Sequence, residues 1–449
     1  MASAAEQLAQ SINLSAFAKA TELKNRIWFT LGALLVYRLG TYIPIPGIDP
    51  KVLADVFAHN AGGILGMFDM FSGGALGRMT IFALGVMPYI SASIIIQLLE
   101  AVSPTLENLK KEGGAGQKKL NQYTRYGTVV LALVQGYGIA VGLEAMRAGA
   151  ETAVLNPGYF FRITTAFSLC GGTMFLMWLG EQITARGVGN GISLIIMAGI
   201  IANLPHALAA TLELGRTGAL STVTIASIFV MAVFVIGFIV FIERAQRRIL
   251  IQYPKRQVGT KMFAGDSSSH LPLKINTSGV IPPIFASSLL LLPTTIAGFM
   301  TNGQSIPWLS RIMSYLTLGG PLYLSIYVAL IIFFTFFYTA IVFNPTETAD
   351  NLRKYGGFIP GIRPGKNTAD YLDYVLTRLT VPGAAYLAAV CVLPQILITQ
   401  YGVPFYFGGT SLLIVVSVTM DTVAQIQSHL LAHQYEGLIK KARLRGRRG

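Results

Sequence analysis

Long apolar runs alternate along this chain with short polar segments, and the runs repeat at the length of a membrane-spanning helix. About 20 predominantly apolar residues are needed to cross the hydrocarbon core of a bilayer. The predicted spans lie at 27–42, 79–101, 126–146, 158–180, 190–212, 221–242, 275–297, 319–343, 371–396 and 406–427. The pattern therefore predicts an all-α polytopic membrane protein with ten transmembrane helices.

One apolar stretch, within residues 61–78, is too short to span the bilayer. Glycine pairs bound it at Gly62-Gly63 and Gly73-Gly74 and would give it mobile ends. Two interpretations are open at this point. The stretch could be a short re-entrant helix packed inside the protein, or an interfacial helix lying on the outer surface of the membrane.

Composition agrees with the membrane class. The chain has 449 residues, of which 53% are hydrophobic and 12% charged, and its mean hydropathy is +0.57. A soluble domain carries about 25% charged residues. The start of the chain lacks the pattern of a removable signal peptide, and Cys170 and Cys391, far apart in apolar segments, are expected to be packing residues.

The basic residues are strongly segregated between alternate loops. Of the 34 lysines and arginines, 26 fall in one set of polar segments and four in the other set, with four more in or beside the spans. Basic residues are retained on the cytoplasmic side, so we expect both termini in the cytoplasm. Anionic lipid headgroups on that side account for much of the net charge of +14.

The ten spans divide into five and five, which is the arrangement of inverted-repeat transport proteins. We expect two pseudo-symmetric halves and two cytoplasmic loops long enough to be binding loops. The expected segments are a cytoplasmic N-terminal segment (1–26), a first five-helix half (27–212), a second half (213–427) with loops at 243–274 and 344–370, and a basic cytoplasmic tail (428–449).

Common catalytic signatures are missing from the sequence, which contains no phosphate-binding loop, HExxH, GxSxG or paired CxxC motif. We therefore expect no enzymatic activity, cofactor or metal. An ion-coupled solute transporter with inverted repeats is the alternative function, but the middle of the predicted spans has almost no ionisable residues to bind a coupling ion. Pro88, Pro282 and Pro283 instead indicate spans that face an interior cavity.

From about Phe29 to Ala442 the sequence resembles the SecY family of bacterial protein-conducting channels. The phrases that carry the resemblance are IPIPGID (43–49), MFSGGAL (70–76), FALGVMPYISASIIIQLL (82–99), TRYGT (124–128), GTMFLMWLGEQIT (172–184), GNGIS (189–193), HLPLK (270–274), GVIPPIFASS (279–288), FFYTAIVFNP (336–345), PGIRPG (360–365) and PFYFGGTSLLIVV (404–416). This resemblance implies a pore subunit that passes unfolded secretory polypeptides across the membrane and releases hydrophobic segments sideways into lipid.

The resemblance also implies roles for particular positions in this chain. An apolar constriction ring would be formed by Val86, Ile90, Ile192, Ile196, Ile284 and Ile414. A plug helix would fill the outer funnel with Ile64, Leu65, Met67, Phe68, Met70 and Phe71. Rings of apolar side chains exclude ions by dewetting, and non-directional apolar contacts let varied side chains pass.

A lateral gate would contain the polar residues Ser91, Gln135 and Asn276, although each of them alone could equally be an ordinary interhelical hydrogen-bonding residue. The motor or ribosome would dock on Arg256, Lys261 and Arg363. The implied partners are SecE-like and SecG-like small membrane subunits, the SecA motor ATPase, the ribosome, signal sequences and anionic lipids. The implied location is the bacterial plasma (inner) membrane.

Overall fold

The computed structural model of the protein describes residues 21–53, 69, 72–145, 147–148, 151–218, 221–253, 257–258, 261–262, 268–300, 320–401 and 409–446. Helices dominate these residues. In chain order they are α1 (Thr21–Gly40), α2 (Met87–Val102), α3 (Pro104–Lys111), α4 (Gly114–Ala145), α5 (Tyr159–Arg186), α6 (Gly191–Arg216), α7 (Thr222–Arg244), α8 (Ile281–Met300), α9 (Pro321–Val342), α10 (Pro345–Lys354), α11 (Lys366–Tyr401) and α12 (Gly409–Gly446).

Each of the ten predicted spans overlaps one helix. The predicted start of the span at 79–101 is wrong, because residues 81–86 form turns, with Gly85 at φ +57°, and α2 begins only at Met87. Within the described residues, seven helices are long and apolar enough to cross a membrane, and the bent pair α2 and α3 raises that number to eight. The other two predicted spans coincide with α1, whose first turns carry charged side chains, and with α8. Among the candidate spans in the described residues, α7 is the most apolar and the least buried, and its Val230 and Phe234 are 70% and 72% exposed.

The bend between α2 and α3 follows from one proline. The two helices meet at an angle of 98°, and Pro104 is the first residue of α3. Proline disfavours helical backbone at the residue before it, and Ser103 accordingly has φ −97° and ψ 116°. The chain therefore leaves the apolar helix α2 and enters the polar helix α3 at a sharp corner.

Three two-stranded antiparallel sheets lie in the connections. Strands β1 (Arg147–Ala148) and β2 (Glu151–Thr152) pair between α4 and α5. The loop after α7 contains an outer pair, β3 (Gln246–Gln252) with β6 (Ser268–Lys274), and an inner pair, β4 (Gln257–Val258) with β5 (Lys261–Met262). The loop that the sequence predicts to protrude is thus a β-hairpin.

The chain forms two compact units. The first unit comprises Met1–Ala209, Pro293–Ser310 and Ile414–Gly449, and the second comprises Ala210–Leu292 and Arg311–Leu413. Helix α12 belongs to the first unit from Ile414 onward, and there the Gly189 N–H donates to Gln425 Oε1 at 2.9 Å. The division of the chain into five-helix halves at 212/213 stays a prediction.

The first unit is held together around the segment that follows α1. Ile45 N–H donates to the Met79 carbonyl at 3.0 Å and Ile81 N–H to the Ile43 carbonyl at 3.1 Å, so residues 43–45 and 79–81 lie side by side. Their apolar side chains join a buried cluster with α4 and α5 that includes the free cysteine Cys170. This cluster fixes the chain that leads into α2.

Candidate channel and docking sites

The six predicted ring residues lie in the first two turns of four helices or at their caps. Val86 is the N-cap of α2, and Ile90 follows one turn later with its N–H 3.1 Å from the Val86 carbonyl. The other positions are Ile192 and Ile196 in α6, Ile284 in α8 and Ile414 in α12. Residues four apart share a helix face, so each pair in α2 and α6 presents two apolar side chains in one direction.

Glycines let α6 approach α5 closely beside this face. A Cβ atom on Gly191 would lie 2.0 Å from the Gly180 carbonyl oxygen, and one on Gly180 would lie 2.9 Å from Ile192 Cγ1. Any larger residue at Gly191 would push the helices apart. Ile192 therefore packs against α5 and is half-buried, whereas Ile196 is buried.

The predicted plug residues Ile64, Leu65, Met67, Phe68, Met70 and Phe71 lie outside the described residues. The structure does describe the turn that follows them, residues 72–78, which we call the anchored turn. The Tyr37 hydroxyl donates to the Ser72 carbonyl at 3.2 Å, and Arg38 Nη1 donates to the Gly73 carbonyl at 2.8 Å. Two side chains of α1 thus hold the backbone directly after the predicted plug.

Asp69 closes the anchored turn from the other side. Its carboxylate accepts from the Gly77 N–H at 2.6 Å, and its carbonyl accepts from the Gly74 N–H at 2.8 Å. Gly73 and Gly74 have φ of +72° and +80°, which favours glycine. Burial raises the pKa of the Asp69 carboxyl above its ordinary value, although the Gly77 N–H and the charge of Arg78 oppose the shift.

Two arginines stack on one tyrosine beside the anchored turn. The guanidinium carbons of Arg38 and Arg78 lie 5.0 Å and 4.3 Å from the centre of the Tyr42 ring, within the range of cation–π attraction. Arg38 Nη2 also donates to the Tyr42 hydroxyl at 3.0 Å. Arg38 therefore has fixed partners on both sides, at Tyr42 and at the turn.

The three predicted gate residues have different surroundings. Ser91 in α2 is buried, and Gln135 in α4 is half-buried. Asn276, which lies between β6 and α8, is 3% exposed. Its Nδ2 donates to Glu243 Oε1 at 2.6 Å and to the Gly279 carbonyl at 3.0 Å, while its Oδ1 accepts from Ser278 Oγ at 3.0 Å. The amide of Asn276 thus makes three hydrogen bonds inside the second unit.

The two loops predicted to protrude pack together in the second unit. Gln252, at the end of β3, exchanges both backbone hydrogen bonds with Phe358, each at 2.9 Å. Gly357 fits closely against Tyr253, because a Cβ atom there would lie 2.9 Å from the Tyr253 ring. Beneath the contact, a buried cluster joins both loops to α11; it contains Ile249, Leu273, Ile359, Leu372 and Leu376.

Helix α10 gives the second loop a fixed start. Asn344 caps the helix, since its side chain accepts from the Thr346 N–H at 3.1 Å and the Glu347 N–H at 3.4 Å. Pro345 follows as the first helical residue, where its missing N–H has no partner to lose. The capped helix and the hairpin together make this loop a defined surface.

Arg363 lies on that surface with its side chain in solvent. The residue is exposed, and its carbonyl accepts from Thr368 Oγ1 at 3.0 Å. Gly361 and Gly365 on either side have φ of +82° and +106°. Of the other predicted docking residues, Arg256 lies outside the described residues, and the Lys261 backbone pairs with Val258 in the inner strand pair.

Sequence reasoning missed Tyr37, Arg38 and Glu243 as site residues. Arg38 lies within a predicted span and Glu243 at the end of another. An ionisable residue at such a position is costly unless it has a partner, and that was the available signal. The partners themselves are 35 and 33 residues away in the chain, a distance that no local pattern encodes.

Comparison with known proteins places the chain among protein-conducting channels. A SecY family model matches residues 80–423. The chain is 57% identical over 425 residues to the protein translocase subunit SecY of Escherichia coli strain K12, covering 95% of this chain and 96% of that protein. It is 56% identical over 424 residues to the same subunit of Rickettsia conorii, covering 94% and 97%.

Solved structures resemble the fold at low sequence identity. A structure described as that of a protein conducting channel has a TM-score of 0.65 and 17% identity, with 91% of this chain and 92% of that chain covered. Sec61 in the canine ribosome–channel complex has a TM-score of 0.61 and 16% identity, with the same coverage. The fold of the chain is therefore the ten-helix channel fold.

Proposed function

This chain belongs to the SecY family, and from that premise we propose that it is the central, pore-forming subunit of a bacterial protein translocase. It passes unfolded secretory polypeptides across a membrane and releases hydrophobic segments sideways into lipid. It is a channel subunit and not an enzyme. The observation that carries this function is the 57% identity to a translocase subunit across 95% of the chain, which also favours a channel over an ion-coupled transporter.

We propose that Val86, Ile90, Ile192, Ile196, Ile284 and Ile414 form the constriction through which the polypeptide moves. The support is chemical. All six side chains are aliphatic, so they make no directional bonds that would hold a passing side chain, and an apolar constriction resists ions by dewetting. The plug residues, from Ile64 to Phe71, would close the funnel beyond it, and the anchored turn would be the plug's fixed end.

We propose that Ser91, Gln135 and Asn276 contribute to the lateral gate. Polar side chains between helices in a membrane are worth only about 0.6 kcal/mol each, so a seam made of them could open for a signal sequence. The bonds that Asn276 makes to Glu243 and Gly279 indicate a second, purely structural contribution from that residue.

We propose that the joined cytoplasmic loops dock the cytosolic partner, either a SecA-like motor or the ribosome. The exposed guanidinium of Arg363 can bind a carboxylate or phosphate through two parallel hydrogen bonds, and Arg247 and Arg248 on β3 are exposed as well. The ribosome-bound Sec61 structure has the same fold, which supports a ribosome as one occupant. Arg256 and Lys261 would add to this docking surface.

We further propose that small subunits resembling SecE and SecG complete the complex, and that anionic lipids contact its basic side. The chain is a multi-span membrane protein, and its similarity to bacterial subunits supports the bacterial plasma membrane. The segregation of its basic residues supports an orientation with both termini in the cytoplasm. In that orientation the loops 243–274 and 344–370 face the cytosol, as docking requires.

Reconstitution tests the proposal directly. The purified chain is inserted into vesicles with a SecE-like subunit, and SecA, ATP and a secretory precursor are added. We expect the precursor to become protected from external protease only when ATP is present. Protection without ATP, or none with every component present, would contradict the proposal.

A further inference from the structure

An open apolar groove runs along the contact between α4 and α5 in the first unit. The helices touch where Gly136 meets Ala166, since a Cβ atom on Gly136 would lie 3.2 Å from the Ala166 Cα. Beside that contact lies a cavity of about 590 Å³. Its walls include Val134, Ile163 and Phe167, each more than half exposed.

The groove lies on two membrane spans and has an apolar floor. Val141 and Ala166 beneath it are each 5% exposed. Because both helices are long and apolar enough to span the bilayer, the exposed walls lie at the depth of the hydrocarbon core. The matching occupant of such a groove is a hydrocarbon chain, whose contacts there are non-directional.

An ion pair lies at the end of the groove, where α4 ends and α5 begins. Arg162 lines the cavity, and its Nη2 and Nε donate to Glu144 Oε2 at 2.6 and 2.8 Å. The Gly158 N–H donates to Glu144 Oε1 at 2.9 Å, and the Arg162 guanidinium stacks on Tyr159, 5.3 Å from the ring centre. The two charged side chains are 25% and 11% exposed.

This pair can bind further groups of both charges. A guanidinium has five N–H donors; Glu144 takes two of those of Arg162 and Tyr137 accepts a further bond, so donors remain for another acceptor. Glu144 Oε1 accepts one backbone N–H and has a second lone pair. Because the charges of the pair cancel, it offers no net attraction to an anion. A group that carries both a phosphate and an ammonium complements it.

We propose that the groove binds a phospholipid with a primary ammonium headgroup, that is, a phosphatidylethanolamine. One acyl chain lies along Val134 and Phe167, the phosphate accepts from Arg162, and the ammonium donates to Glu144. An anionic phosphatidylglycerol would bring its charge near the Glu144 carboxylate. The quaternary ammonium of phosphatidylcholine has no N–H to donate. With the orientation proposed above, the site faces the outer leaflet.

Photo-crosslinking of the full-length channel complex tests this site. The photoreactive residue p-benzoylphenylalanine replaces Phe167 in the groove or, as a control, Phe234, which is 72% exposed on α7. Each complex is placed in vesicles of equal parts phosphatidylethanolamine, phosphatidylglycerol and phosphatidylcholine, irradiated and analysed by mass spectrometry. We expect the ratio of phosphatidylethanolamine adducts to adducts of the other two lipids to be roughly fivefold higher at Phe167 than at Phe234, which corresponds to a preference of about 1 kcal/mol.

A neutral double variant separates recognition from folding. In Glu144→Gln/Arg162→Gln the two side chains can still hydrogen-bond to each other, but neither is charged. We expect this variant to fold and its enrichment to fall to about one. Because the photoreactive residue could itself displace the lipid, Val134 on the other wall is labelled in a second experiment.

Four results would overturn the proposal. The first is a set of adducts at both Phe167 and Val134 that has the same lipid composition as the bulk vesicle. The second is preferential capture of phosphatidylglycerol or phosphatidylcholine, and the third is an adduct to a protein in place of a lipid. An enrichment that persists undiminished in the double variant would also contradict it, because the ion pair would then not be the recognition element.

Discussion

The replacement Asn276→Ala removes three hydrogen bonds from a buried site in the second unit. The amide group donates to Glu243 at 2.6 Å and to the Gly279 carbonyl at 3.0 Å, and it accepts from the Ser278 hydroxyl at 3.0 Å. Alanine leaves all three partners without this bond in a site where Asn276 itself is 3% exposed. The variant therefore tests whether the residue is structural, a gate residue or both.

The expected loss follows from the charges of the partners. A hydrogen bond to a charged group contributes about 1.5–3 kcal/mol, and a bond between neutral groups contributes about 1 kcal/mol. Loss of one bond to a charged group and two bonds between neutral groups should therefore lower the free energy of unfolding by about 3–5 kcal/mol. An unfolding entropy of about 2.1 cal/mol/K per residue over 449 residues means that one kilocalorie shifts the unfolding midpoint by about 1 °C, so we expect a decrease of about 3–5 °C.

Thermal unfolding of the purified complex in detergent measures this change. Thr277→Ala is the matched control, because its hydroxyl makes one exposed hydrogen bond, to the Lys274 carbonyl at 3.0 Å. We expect the control to unfold with the wild-type midpoint. Translocation of a precursor with a weakened signal sequence is measured in parallel, since a gate residue also changes that activity.

A wild-type midpoint for Asn276→Ala would refute the reasoning from the hydrogen bonds. It would mean that the contacts to Glu243 and Gly279 contribute little to the folded state. A lower midpoint with unchanged selectivity for signal sequences would support the structural contribution and count against the gate.

Three further predictions concern the ring, the docking surface and the anchored turn. Serine at both Ile90 and Ile284 should raise ion leak several-fold in planar bilayers, because water enters a polar constriction; unchanged conductance would count against the ring. Arg363→Glu should abolish stimulation of the SecA ATPase while Lys354→Glu, an exposed change of the same charge in the same loop, leaves it intact, and equal activities would contradict the docking assignment. Arg38→Gln should lose about 1.5–3 kcal/mol at the Gly73 carbonyl and speed amide exchange in the anchored turn, so unchanged exchange would argue against the anchor.

The spanning helices were predictable because each of them contains a continuous apolar run, whereas the polar helices α3 and α10 have none. Helix α7, for example, follows from the apolar run at 221–242 and was found at Thr222–Arg244. The sharp corner at Ser103 is encoded by Pro104 in the same local way. The lipid bilayer imposes this regularity, since every backbone polar group in it must be bonded within the segment.

The pairing of the cytoplasmic loops was much less accessible from sequence. The segment QRRILIQ alternates, with Ile249 and Ile251 buried, which is a strand signal. Its partner strand, β6, contains Pro272, and proline argues against a strand except at the edge of a sheet. Proline is tolerated here because the sheet has only two strands, so both of them are edge strands. The contact between Gln252 and Phe358 joins residues more than 100 positions apart, so only the fold brings them together.

The hydrogen-bond partners of the buried charged side chains were the hardest feature to predict from the local sequence. Arg38 and Glu243 stand out as charges at predicted spans, but their partners Gly73 and Asn276 are distant in the chain. The roles of the ring and the gate came from the family resemblance. Composition and topology alone reached a transport-like bundle.

Capture of a moving polypeptide by the proposed ring tests the central claim most directly. A photoreactive residue is placed at Ile90, or at Val230 on the lipid-exposed face of α7 as a control, and a secretory precursor is stalled part-way through the reconstituted channel. We predict crosslinks to the precursor from Ile90 that require ATP and SecA, with none from Val230. Equal crosslinking from both positions, or none from Ile90 while the precursor is protected from protease, would contradict the account.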